Sequence, residues 1–95
     1  MYKFICFLVL RSCVNMASNA NTSEIELFVI ERVKKMREEA EMTQAQLAFA
    51  LDVSYGFVGQ VESSNHRAKY NLNHINKLAK IFGCEFKDFF PKKPF

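Results

Sequence analysis

TQAQLAFALDVSYGFVGQVE, residues 43–62, reads as two short helices joined by a tight turn. Thr43 and Gln46 stand at capping-box spacing, in which the threonine oxygen accepts the amide of the third helical residue and the glutamine reaches back to the cap amide. The first helix is therefore expected to begin at Gln44. Leu47 and Leu51 share one face at i, i+4, and Ala48 is small enough for a second helix to cross close by. Ser54 is placed to cap that second helix, with Val58, Val61 and Ser54 itself pointing back toward the leucines. Tyr55, Gly56, Gly59, Gln60 and Ser63 are left facing outward.

The flanks supply the rest of a helical core. Thr22 or Ser23 can cap a helix in which Val29, Val33, Met36 and Ala40 recur at helical spacing, with Phe28 and Ile30 widening the stripe. Ile25, Leu27 and Phe28 add surplus apolar surface at its start, for a dimer contact or, by preference, an intramolecular staple. Beyond the motif, Asn71 is placed to cap a helix whose Leu72, Ile75, Leu78, Ala79 and Phe82 lie at helical spacing before Gly83 ends it. Phe86, Phe89 and Phe90 follow in a last helix stopped by Pro91. Closing the core is a stronger role for these rings than lining a ligand pocket. Tyr70 is read as a core anchor, and Phe57 is ambiguous between burial and exposure.

Two helices so joined form a helix-turn-helix, whose second helix enters the DNA major groove. Residues 42–91, about half the chain, resemble the Cro/phage-repressor (XRE-type) helix-turn-helix family. The resemblance rests on Arg37 ahead of the motif, Thr43-Gln44 opening it, Leu47-Ala48, Val53-Ser54, Val58, and Gln60-Val61-Glu62 closing the second helix. Downstream it rests on Leu78-Ala79-Lys80 and Asp88-Phe89-Phe90. It implies an all-α, compact five-helix bundle of the phage-repressor type, with a recognition helix at about 54–62, acting as a DNA-binding transcriptional regulator and repressor. It also places Arg37 opposite Glu62 in a partly buried structural salt bridge. The chain departs from the family at Gly56 and Gly59, where polar side chains are general, and at Asp52, where glycine is common.

Residue chemistry then suggests an interface. Gln60 can bond adenine bidentately, and Tyr55 can reach a base edge, a thymine methyl or a phosphate. Gly56 and Gly59 would let the backbone approach the groove floor, with more reliance on DNA shape. Gln44, at a helix N-terminus, suits a phosphate, as do Ser54, Ser63, Asn65, Arg67 and Lys69 around the motif. Residues 63–82 contain Arg67, Lys69, Lys77 and Lys80 and no acidic residue, so the net charge of +3 is concentrated beside the reading unit.

A chain of 95 residues, 49% of them hydrophobic, supplies one small domain. The expected division is a leader at 1–23, the DNA-binding domain at 24–91 and a mobile tail at 92–95. The apolar run at 4–10 between Lys3 and Arg11 resembles a short signal peptide, but it is far below the ~20 residues of a membrane span. A translation start at Met16 accounts for it more simply. Cys6, Cys13 and Cys84 have no paired or metal-binding spacing, so reduced thiols and a cytoplasmic, nucleoid-associated location are expected. His66 and His74 have no metal-ligand partners; no metal, cofactor or catalytic constellation is expected. Expected partners are double-stranded DNA, a second copy on a two-half-site operator and, alternatively, a toxin held by an antitoxin. A protein-interaction module that has lost DNA reading is the other alternative, motivated by Gly56 and Gly59.

Overall fold

Ser23 opens the first helix, α1 (Glu24–Glu39): its Oγ accepts the Glu26 amide, and the Glu26 carboxylate accepts the Ser23 amide. Thr43 and Gln46 make the same reciprocal pair at the start of α2 (Gln44–Leu51). At α4 (Leu72–Phe82), Asn71 Oδ1 accepts the His74 amide, while His74 Nδ1 accepts the amide of Asn71. The computed structural model, which describes residues 22–63 and 67–95, adds α3 (Phe57–Glu62) and a 3-10 helix at Phe86–Phe89. No strand occurs among the described residues.

Two expectations about elements are corrected. The bundle has four α-helices among the described residues, because the last of the expected five is a single 3-10 turn of four residues. Gly83, in the left-handed conformation at φ 64°, ends α4, and the short stretch from there to Pro91 accommodates one tight turn. The second helix of the motif also begins later than Ser54. Tyr55 and Gly56 form a turn in which the Phe57 amide donates to the Ser54 carbonyl at 3.0 Å, so α3 starts at Phe57 with no side-chain cap. Ser54 is exposed rather than turned toward the leucines. Between α2 and this turn, Asp52 takes the left-handed conformation, φ 60°, and lets its own amide and that of Val53 bond back to α2 carbonyls.

Val33, Leu47, Leu51, Val58, Leu78 and Phe89 are fully buried and join the helices in one core. α3 packs on α2 and α1, α4 covers α2, and the 3-10 helix brings Phe89 against α1 and α4. Leu72, expected on the apolar face of α4, is instead 82% exposed. The buried line runs through Ile75, Leu78 and the half-buried Phe82, about a quarter turn around the helix from it. Phe86 likewise stands outside, while Phe89 and the partly buried Phe90 close the core. At the start of α1, Phe28 is buried beneath the Arg32 guanidinium, and the Phe95 ring meets it edge-on at 6.1 Å. The tail, expected to be mobile, thus sets one ring against α1. Ala40, expected on the buried stripe of α1, is exposed, since the helix ends there and Glu41 turns left-handed at φ 58°.

The signal-peptide-like run, Met16, Cys6, Cys13, Asn65 and His66 lie outside the described residues. Among the described residues, no helix is long and apolar enough to cross a membrane.

Candidate nucleic-acid interface

Glu62, the last residue of α3, is held from two directions. Arg37 on α1 meets it as a fork: Nε donates to Oε2 at 2.9 Å and Nη2 to Oε1 at 3.1 Å. The Arg37 and Glu62 side chains are only 10% and 3% exposed. Arg37 Nη1 also donates to the Met42 carbonyl at 2.7 Å, tying the same guanidinium to the connection between α1 and α2. From α2, Gln44 Nε2 donates to Glu62 Oε1 at 2.9 Å. Three donors on a nearly buried carboxylate are charge-assisted bonds of the stronger kind, and together they set how α3 leaves the core.

With Val58 and Val61 buried, the opposite side of α3 and its entry turn remain open. Tyr55 is 81% exposed, and Gly56 and Gln60 are exposed beside it. Gly59 differs: it is half-buried, and a Cβ there would meet Gln44 Oε1 at 3.1 Å. The equivalent atom at Gly56 would meet nothing within 4 Å. The two glycines therefore have different physical settings, one open and one overlaid by a neighbouring side chain.

The candidate phosphate contacts divide too. Arg67 is exposed, Ser54 is exposed and Ser63 is half-buried at the end of α3. Lys69 pairs with Glu26 at 3.1 Å, so its ammonium is shared with the capping carboxylate of α1. That carboxylate is held below its ordinary range, first by the Ser23 backbone amide and also by Lys69. Lys77 donates to the Leu51 carbonyl at 3.3 Å, while Lys80 is exposed on α4.

Sequence reading missed the aromatic support behind the start of α3. Phe57 packs against the rings of His74, at 5.1 Å, and Tyr70, at 6.2 Å, linking α3 to the N-terminus of α4. Burial pushes the Tyr70 phenol well above its ordinary value, with Glu62 adding to the effect and Arg37 opposing it. His74 is pushed down by burial and then by Lys77. The signal was present in part, since His74 stands three residues after Asn71, where its Nδ1 can reach the cap amide. Phe49, 87% exposed on α2, carried no outward signal because its neighbours in sequence are apolar.

No group of three or more His, Cys, Asp or Glu side chains that could hold a metal occurs among the described residues. No curated protein and no solved structure matches the chain. A helix-turn-helix family model matches residues 33–89, more than half of the sequence, from the middle of α1 through Phe89. Its span takes in the Arg37–Glu62 fork, α2, the Asp52 turn, α3 and α4. The chain belongs to the Cro/phage-repressor (XRE-type) helix-turn-helix family of DNA-binding transcriptional regulators.

Proposed function

We propose that this domain binds duplex DNA sequence-specifically, laying α3 in the major groove and acting as a repressor by occupying its operator. The observation that carries this reading is the open face formed by Tyr55, Gly56 and Gln60 on a helix buried on its other side and fixed at its end by Arg37 and Gln44. Gln60 is the main base reader, with a carboxamide that matches adenine N6 and N7, and Tyr55 meets a neighbouring base edge or thymine methyl. Gly56, with open space where a side chain would stand, permits close approach of the backbone. Arg67, Ser54, Ser63, Lys69 and the N-terminal end of α2 at Gln44 then grip phosphates; Lys69 exchanges its Glu26 partner for one. Two copies on half-sites about one helical turn apart would extend the footprint.

Equilibrium titration of a fluorescent duplex at several salt concentrations tests this reading. The expected result is an affinity that falls linearly in log–log form as salt rises, with a steeper slope for the wild type than for Arg67→Ala. Failure to retain duplex DNA at any salt concentration would refute it.

A further inference from the structure

Gly59 sits on the recognition helix, yet its bare Cα faces another helix of the same domain. The carboxamide of Gln44 lies over it, with Oε1 3.1 Å from the place a Cβ would occupy and Nε2 donating to Glu62 Oε1 at 2.9 Å. A real Cβ at 3.1 Å forces its neighbour to give by a few tenths of an ångström, and here the neighbour is already held by a hydrogen bond to a carboxylate that Arg37 fixes in turn. We infer that Gly59 is a positioning residue: its missing side chain keeps open the seat in which Gln44 crosses from α2 to Glu62. It is not a site of backbone approach to a base.

The consequence reaches the DNA through Gln44. An amide nitrogen carries two hydrogens, and the bond to Glu62 uses one. The other, with the unpaired backbone amide at the helix start, is directed by that same seat. Gln44 is exposed, so a phosphate can approach it. This last step rests on the DNA-binding reading above; the steric coupling of residues 44 and 59 does not. Glycine inside a six-residue helix is unfavourable, and a place reserved for Gln44 explains its presence where open space does not, as it is open at Gly56.

A double-mutant cycle over Gln44→Ala and Gly59→Ala, read by thermal denaturation and by the affinity for duplex DNA at fixed salt, tests the inference. With Gln44→Ala already in place, Gly59→Ala is expected to raise Tm by about 4–8 °C, the gain in helix propensity with nothing in the way. With Gln44 present, the same substitution should give a clearly smaller rise or a fall, and should weaken duplex binding by about two- to tenfold, the loss of one hydrogen bond to phosphate, with the salt slope unchanged because a neutral amide displaces no counterion. Equal Tm shifts in both backgrounds would overturn the coupling. An unequal pair of Tm shifts with unchanged affinity for duplex DNA would overturn the link to phosphate. If the wild type retained no DNA, the functional reading would fall, while the Tm cycle would still decide whether Gly59 seats Gln44.

Discussion

Glu62 shows how much one residue can settle in a domain of this size. Its carboxylate is nearly out of water and is neutralised chiefly by one guanidinium. Removing that partner leaves a buried charge with no counter-charge and only the Gln44 amide bonded to it, so Arg37→Ala is expected to cost about 3–5 kcal/mol, a large share of a stability of about 5–15 kcal/mol. Thermal or denaturant unfolding measures this; Arg37→Lys should recover only part, because an ammonium lacks the two-pronged geometry. Loss of DNA binding in Arg37→Ala with unchanged stability would contradict the structural role. The Arg37–Glu62 pair lies 25 residues apart in sequence and becomes visible there only through the family resemblance. The third partner, Gln44, was not legible at all, since its bond depends on the close crossing at Gly59 that only the packed helices show.

His74 gives the residue scale a pH dependence. In the folded chain it titrates below its ordinary value of 6.5, first because burial disfavours the cation and then because Lys77 repels it. Its Nδ1 must stay unprotonated to accept the Asn71 amide, and its ring packs on Phe57 and Tyr70. As pH falls, the unfolded chain therefore takes up the proton first. The stability from this group is whole above about pH 6.5 and is lost as pH drops through the lower folded value, below which the loss stops. Melting curves from about pH 7.5 to about pH 5 should show the decline, and His74→Gln, which keeps an acceptor able to reach the cap amide, should flatten it. Equal slopes in both proteins would refute the assignment.

At the scale of elements, α1, α2 and α4 begin where the sequence puts them because each start is written locally, as a cap and a reciprocal partner three residues on. α3 has no such signature. Its cap is Gly56, with a negative φ of −91° and no side-chain bond, so the serine two positions earlier drew the expected start upstream. A six-residue helix with a glycine inside it and no side-chain cap depends on its neighbours, above all Val58, Val61 and Glu62. Gly56→Ala meets no neighbour and is expected to stabilise by about 0.4–1 kcal/mol through the unfolded chain, measured by denaturant unfolding. A destabilisation would show that the turn requires glycine.

For the whole molecule, helix periodicity marked the core well where a stripe was long and poorly where it met an end. Phe89 and Leu72 are the test cases. Phe89 is wholly buried and joins the last turn to the core, so Phe89→Ala should cost about 3–5 kcal/mol. Leu72 lies off the buried line, and Leu72→Ser should stay within about 0.5 kcal/mol of wild type. Comparable losses in the two variants would contradict the packing described.

All of these constraints converge on one short helix held firmly with one face open, and selection from a random duplex library, run in parallel on the wild type and Gln60→Ala, tests most directly the proposed readout of DNA by that face. The wild type is expected to enrich a motif that loses its preference at one base-pair position in Gln60→Ala, with the rest of the motif intact. An identical motif from both proteins, or no enrichment from either, would contradict readout by α3.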